Sequence, residues 1–327
     1  MDIDIKNLSK NEIDHLFKKI REVKVENKKK NNRKKVKDLM AQEQFVQRTK
    51  EWFAQRKNCI TASDVGGVLE MSKYSNPEKV FRKKIEKEKS FKGNKFTEHG
   101  KCYEEIAVQA YEEKYKTKIH EFGLLIHPRM KFLGASPDGI TEDGIMIEIK
   151  CPLSRKINGN IFSPKTLEYW VQMQMQLEVC NLDVCHFVEC EISEYDSLED
   201  FVADEDFIHK GVVGVVVDKS GENIYLYPPL SLSPFLKRKW IDKEIKKNYS
   251  NYKRGDDKLW KLNLFSKVEV KRDKKWFETI EPMLHNFWNK LLEYRENPES
   301  FEKDFNKNKN KSFTQYEDNN IFDECLF

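Results

Sequence analysis

The sequence has no long apolar run, no regular cysteine spacing and no large imbalance of charge. None of its apolar stretches approaches the ~20 residues that a membrane-spanning helix requires. The first twenty residues, MDIDIKNLSKNEIDHLFKKI, contain no apolar core of the kind found in signal peptides. We therefore expect a soluble, intracellular protein without a membrane partner.

The seven cysteines are an odd number without a spacing framework, which argues against a disulfide scaffold and suits a reducing compartment. Cys151, Cys180, Cys185 and Cys190 are too widely spaced for the usual iron–sulfur ligand motifs. The histidines show no pairing typical of zinc sites. We expect buried free thiols.

Charge is abundant but nearly balanced, with 59 basic and 55 acidic residues giving a net charge of +4. Such a balance does not by itself indicate a polyanion-binding protein, so the distribution of charge matters more. The segment 24–37 carries eight basic residues and one acidic residue, which predicts a solvated helix or a nucleic-acid-binding arm. The segment 237–275 mixes fifteen basic residues with aromatics, which could contact DNA or belong to the core.

Hydrophobic periodicity predicts an α/β fold with a mixed sheet. Helical spacing covers 101–115, 166–180 and 276–292, and strand-like segments cover 145–150 and 186–192. A hairpin is expected between 212–217 and 224–227. We divide the chain into four parts: a basic N-terminal arm (1–40), a folded core (41–230), a basic, aromatic-rich helical region (231–295) and a polar tail (296–327).

The most informative stretch begins at Pro137-Asp138 and continues to Glu148-Ile149-Lys150. Residues two apart on a strand project from one face, so Glu148 and Lys150 lie side by side among isoleucines. Buried charge is costly unless it is paired or bound to metal. For this tripeptide alone, an exposed Glu–Lys ion pair is the simpler interpretation.

The combination of motifs matches the PD-(D/E)xK nuclease signature, because a Pro-Asp pair precedes a Glu-x-Lys strand and a Gln-rich helix. Asp138, Glu148 and the Ile149 carbonyl together form an oxygen donor set that suits Mg²⁺ or Mn²⁺. Such ions can clamp the attacking and leaving oxygens of a phosphoryl displacement. Lys150 would orient the attacking water or help to deprotonate it.

The chain also resembles the YqaJ viral recombinase family, which includes the bacteriophage lambda exonuclease. The resemblance covers 56–174 and rests on five motifs in the family's order, which are Arg56 with Ile60-Thr-Ala-Ser63, Gly100-Lys-Cys-Tyr-Glu104, Ser136-Pro-Asp138, Glu148-Ile-Lys-Cys-Pro152 and Tyr169-Trp-Val-Gln172-Met-Gln174. It implies a restriction-endonuclease-like core, with a central mixed β-sheet flanked by helices, over 41–230.

The resemblance also implies a role for each matching residue. Glu104, Asp138 and Glu148 would bind two metal ions, Lys150 would act on the nucleophile and Gln172 would support it. Arg56, Ser63 and Ser136 would bind a 5′-phosphate. Glu105 beside Glu104 is expected to be a solvated helix position.

At the level of the whole protein, the resemblance implies 5′→3′ degradation of double-stranded DNA ends in viral recombination or replication. It further implies a homotrimer, a single-strand annealing protein as partner, and a location in the host cytoplasm, a viral replication site or the nucleus. Two alternatives stay open: an endonuclease with the same core, and a catalytically silent DNA-binding protein. The presence of all three carboxylates and the lysine favours the enzyme.

Overall fold

The computed structural model describes residues 9–85, 93–205 and 209–306. These residues form the following helices: α1 (Lys10–Met40), α2 (Lys50–Lys57), α3 (Ala62–Val68), α4 (Pro77–Ile85), α5 (Lys95–Tyr115), α6 (Leu167–Cys180), α7 (Leu198–Ala203), α8 (Pro234–Asn248), α9 (Lys274–Glu296) and α10 (Pro298–Asn306). They also form these strands: β1 (Ile60–Thr61), β2 (Ile119–His120), β3 (Leu125–Ile126), β4 (Leu133–Ala135), β5 (Gly139–Thr141), β6 (Met146–Lys150), β7 (Val184–Glu194), β8 (Lys210–Val217), β9 (Asn223–Leu226), β10 (Lys253–Arg254) and β11 (Lys258–Lys271).

The main sheet is mixed, as the sequence predicts. Its strands follow the order β10-β8-β11-β7-β6-β5-β2, and β9 pairs with β8. Strands β6 and β7 run parallel, while the other pairs in this sheet are antiparallel. A small second sheet has the order β1-β4-β3. Helix α6 connects β6 to β7, as parallel neighbours require a crossover.

The two faces of β6 meet different helices because successive side chains alternate across a strand. Ile147 and Ile149 pack in a cluster with α5 residues such as Tyr103 and Ile106. Met146 faces the opposite side, in a cluster formed largely by α3, α6 and α9. The sheet is therefore covered by helices on both faces, and Glu148 lies on the face covered by α6.

Several sequence-based expectations are confirmed. Helices α5, α6 and α9 cover the three segments with helical periodicity, and β6 and β7 cover the two strand-like segments. The expected hairpin forms between β8 and β9, with Val215 opposite Tyr225. The six cysteines among the described residues are free and buried.

Among the described residues, the structure contains no helix that is long and apolar enough to cross a membrane.

The expectation of a helical region over 231–295 is wrong in one respect. That segment contains β11, a strand of 14 residues that lies between β7 and β8 in the main sheet. A register shift between Leu262 and Leu264 interrupts the alternation of β11, which hides the strand pattern in the sequence.

Parts of the expected arm and tail also have defined structure. Helix α1 packs on the core through Val36 and Leu39, while most of its side chains are exposed. In the tail, α10 buries Phe301 and Phe305. The residues 1–8 and 307–327 of these two segments lie outside the described residues, so the four-part division of the chain stays a prediction.

Candidate active site

Glu148 is the most deeply placed charged residue of the site, with no solvent exposure. Its Oε1 accepts hydrogen bonds from Gln172 Nε2 at 2.8 Å and from Lys150 Nζ. Its Oε2 accepts a hydrogen bond from Gln176 Nε2 at 2.9 Å. Gln172 and Gln176 lie one turn apart on α6, so both amides reach the strand from the same helix face. These three donors fix the position of the buried carboxylate.

Lys150 lies beside Glu148 on the same face of β6, as the strand periodicity predicts. Its ammonium group also donates to the Ile149 carbonyl oxygen at 3.1 Å. Burial alone would lower the pKa of Lys150, but the carboxylates of Glu148 and Asp138 raise it above its usual range. Lys150 is therefore a cation at neutral pH.

Asp138 lies in the turn between β4 and β5 and immediately precedes β5. Its Oδ2 accepts a hydrogen bond from the Ile149 backbone N–H at 2.7 Å, which ties this turn to β6. Burial and the nearby Glu148 carboxylate raise the pKa of Asp138 well above its usual range. The two carboxylates are thus close enough to repel each other.

Glu104 approaches the same region from α5, and its carboxylate pairs with Arg48 Nη2 at 3.3 Å. Glu104, Ile149 and Lys150 line one cleft. Glu105 lines a different surface groove, and burial raises the pKa of this carboxyl. Of the two neighbouring glutamates, Glu104 is therefore the one that shares a cleft with Ile149 and Lys150.

The donor atoms suit a hard divalent cation. Asp138, Glu148 and the Ile149 carbonyl supply oxygens only, which Mg²⁺ and Mn²⁺ prefer. Glu148 Oε1 and the Ile149 oxygen already converge on one positive group, the Lys150 ammonium. Across residues 9–85, 93–205 and 209–306, no three His, Cys, Asp or Glu side chains are gathered tightly enough for a ready-made metal centre. Glu104, in particular, is engaged by Arg48.

Arg56, Ser63 and Ser136 lie in a connected group. Arg56 Nη2 donates to Ser63 Oγ at 2.9 Å, and its guanidinium stacks over the Trp52 ring at 4.3 Å. Trp52 Nε1 in turn donates to Ser136 Oγ at 3.0 Å. Since Ser136 is two residues before Asp138, this group adjoins the carboxylate site.

The N-cap of α3 is Thr61, and Ser63 lies in the first turn. The side chain of Asp64 accepts a hydrogen bond from the Thr61 backbone N–H at 2.9 Å, which satisfies the start of the helix. Ser63 is exposed, and its hydroxyl is left to contact Arg56.

The cleft beside the carboxylates has a volume of about 1140 Å³. Its lining is strongly basic, with Glu104 and Glu168 as the acidic side chains. The basic side chains in its lining are Arg48, Lys73, Lys101, Lys150, Arg155, Lys156 and Lys165. A cleft lined mainly by positive charge attracts a ligand of the opposite sign, here a polyanion.

Three residues in contact with this site were not identified from the sequence. Gln176 could have been found, because it lies four residues after Gln172 on a predicted helix. Trp52 and Arg48 gave no such signal, since their partners are 84 and 56 residues away in sequence. Arg48 also adopts a left-handed backbone conformation with φ of 69°.

Comparison with known proteins identifies similar sequences and structures. Residues 51–183 match the family model of the YqaJ-like viral recombinase domain. An uncharacterised protein of Acanthamoeba polyphaga mimivirus is 33% identical over 302 residues, covering 80% of this chain and 55% of that protein. The chain thus spans about half the length of this curated relative.

Two solved structures are also similar. An alkaline exonuclease from Laribacter hongkongensis aligns with a TM-score of 0.45 and 22% identity, covering 79% of this chain and 100% of that chain. A phage-related exonuclease from Haemophilus somnus 129PT aligns with a TM-score of 0.41 and 13% identity, covering 72% of this chain and 95% of that chain.

Proposed function

We propose that the protein is a metal-dependent DNA exonuclease, because residues 51–183 match the family model of the YqaJ-like viral recombinase domain. The observation that carries the proposal is the buried Glu148. Its carboxylate is held by two amides and the Lys150 ammonium, directly beside Asp138 and a basic cleft. A protein that only bound DNA would not need a fully buried carboxylate held beside a second carboxylate.

Each residue of the site has a proposed role. Asp138, Glu148 and the Ile149 carbonyl, joined by Glu104, would hold Mg²⁺ or Mn²⁺, and two ions are proposed. When bound, the metal would stabilise negative charge on the reacting phosphate and activate water. Lys150 would orient that water and offset charge on the phosphate. Gln172 would keep Glu148 in place.

The proposed substrate is a double-stranded DNA end. The basic cleft would hold the phosphate backbone through Lys and Arg side chains. Arg56, Ser63 and Ser136 would bind a terminal 5′-phosphate, because a guanidinium can contact two phosphate oxygens at once. We also propose that the protein degrades DNA in the 5′→3′ direction, forms a homotrimer and acts with a single-strand annealing protein. Its role would be in viral recombination or replication.

The test is an assay with end-labelled linear duplexes and closed circular DNA, with Mg²⁺, Mn²⁺ or EDTA. We expect cutting of linear DNA that EDTA abolishes and either metal restores. Asp138→Asn and Glu148→Gln should each reduce the rate by roughly 10²-fold or more. Asp143→Asn is a matched control, since Asp143 is a surface carboxylate in the turn before β6 that pairs with Arg33.

The other outcomes favour the alternatives. Efficient cutting of closed circles would replace the exonuclease with an endonuclease of the same core. DNA binding without cutting under any metal condition would favour a catalytically silent DNA-binding protein. Wild-type cutting by a folded Glu148→Gln variant would contradict the assigned site.

A further inference from the structure

A buried lysine connects the backbone of Arg56 to the helix that carries Ser63. Lys84 on α4 is 3% exposed, and its Nζ lies 2.6 Å from Asp64 Oδ2. The same Nζ donates to the Arg56 carbonyl oxygen at 2.7 Å. Because Asp64 directly follows Ser63, Lys84 fixes the two sides of the proposed phosphate pocket relative to each other.

The neighbouring lysine, Lys83, contacts the other oxygen of the same carboxylate. Its Nζ lies 2.9 Å from Asp64 Oδ1, and its side chain is 41% exposed. Lys84 is enclosed by protein, whereas Lys83 keeps access to solvent. Lys83 can therefore approach an incoming anion while Asp64 stays paired with Lys84.

The charges of this group do not cancel. Arg56, Lys83 and Lys84 are three cations around the single carboxylate of Asp64, which leaves two positive charges. A phosphomonoester carries about −1.5 to −2 charges at pH 7. A phosphodiester carries a single negative charge and a hydroxyl carries none. The charge of the group therefore matches a terminal phosphate better than it matches an internal phosphate.

We propose that Lys83 is a further member of the terminal-phosphate pocket, and that its charge makes the pocket prefer a phosphomonoester to a phosphodiester. This inference rests on the proposed function. It adds that the positive charge of Lys83 determines which 5′ end of a duplex is preferred. Arg56 supplies a planar, two-pronged contact, while Lys83 supplies a mobile point charge. Ser63 and Ser136 contribute neutral hydrogen bonds.

The experiment compares three duplexes of one sequence that differ in the 5′ end: a phosphate, a methyl phosphodiester and a hydroxyl. The quantity measured is the ratio of kcat/KM between ends, in Mg²⁺. The wild type should prefer phosphate over methyl phosphodiester, and methyl phosphodiester over hydroxyl. Lys83→Gln should lower the phosphate-to-hydroxyl ratio roughly tenfold, as expected for one charge-assisted hydrogen bond. It should also bring the phosphate and methyl phosphodiester rates close together.

Two variants separate this role from a general effect on folding. Lys83→Arg keeps the charge and should retain most of the preference. Lys79→Gln removes the same charge one turn earlier on α4, where Lys79 Nζ donates to the Tyr74 carbonyl oxygen at 3.0 Å. This control should leave the ratio between ends unchanged.

Two other outcomes would contradict the inference, and a third would require that it be tested by DNA binding. A wild-type ratio in Lys83→Gln would overturn the inference and leave the nuclease intact. A wild type that cuts all three ends equally would overturn it as well. If the wild type cuts none of the three duplexes, the proposed function is wrong. The inference about Lys83 is then tested by the equilibrium affinities for the three duplexes, and Lys83→Gln should lower the phosphate-to-hydroxyl ratio of affinities in the same way.

Discussion

At the residue scale, the position of the buried Glu148 carboxylate depends on hydrogen bonds from two neighbouring amide side chains. Gln172 and Gln176 each donate one hydrogen bond to it, one to each oxygen. Groups that orient a metal-binding carboxylate commonly change metal affinity or activity when they are replaced. In the proposed site, the amide of Gln176 would position the carboxylate of Glu148, and the Mg²⁺ requirement of a Gln176 variant tests that role.

We predict that Gln176→Leu raises the Mg²⁺ concentration needed for half-maximal cutting, or lowers the rate, by roughly 10- to 100-fold. The physical reason is that Glu148 Oε2 loses its amide donor inside the protein. Gln174→Leu is the control, because Gln174 is equally buried on α6 but donates to the Lys271 carbonyl oxygen. It should lower stability without changing the Mg²⁺ requirement. An unchanged Mg²⁺ requirement and rate in Gln176→Leu would contradict the prediction.

At the element scale, α2, α3 and α4 are joined by charge as well as by apolar packing. Asp64 and Lys84 are both buried, and their ion pair links α3 to α4. Burial alone would raise the pKa of Asp64, but three neighbouring cations, Lys84 first among them, hold it well below its usual range. The folded state therefore favours the ionised carboxylate.

We predict that Asp64→Asn lowers the free energy of unfolding at pH 7 by about 3–5 kcal/mol, because Lys84 is left buried without its counter-charge. The folded-state pKa of Asp64 lies below its unfolded value, so this stability is present above about pH 4 and is lost as the pH falls. Urea unfolding should show a larger difference between variant and wild type at pH 7 than at pH 3, because at pH 3 Asp64 is largely protonated in the unfolded state but still ionised in the folded state. The exposed pair of Asp143 with Arg33 is the comparison, and Asp143→Asn should cost about 1 kcal/mol or less. Equal losses at both pH values would contradict the assignment to ionised Asp64.

At the scale of the whole molecule, the C-terminal third belongs to the main sheet. Strand β11 pairs with β7 from Trp260 opposite Glu194 to Lys271 opposite Val184, and with β8 on its other side. Helix α9 adds Trp276, Phe277 and Leu284 to the core that also contains α6. The carboxylate site thus rests on a sheet that the segment 41–230 cannot complete alone.

We predict that a chain ending at residue 230 does not fold cooperatively, because β7 and β8 would lose their shared neighbour and expose unpaired backbone groups. A chain ending at residue 306 keeps every described element and is the control, which should unfold in one transition. Circular dichroism during urea unfolding measures both. A sharp unfolding transition in the shorter chain would show that the segment before residue 231 is an independent domain.

The sequence alone was sufficient for the local features of the site. Strand periodicity predicted that Glu148 and Lys150 share a face, and helical periodicity predicted α5 and α6. These features follow from repeats of two or 3.6 residues, which the chain expresses locally.

The tertiary structure decided which groups meet across long distances in sequence. Trp52 bridges Arg56 and Ser136, Lys84 reaches Arg56 from α4, and β11 enters between β7 and β8. No local period encodes these contacts, because they arise when elements far apart in sequence bury their apolar faces together and pair their edges. Lys83 and Lys84 of α4 look like ordinary surface residues in the sequence, and only the packing of α3 against α4 buries Lys84 and leaves Lys83 exposed.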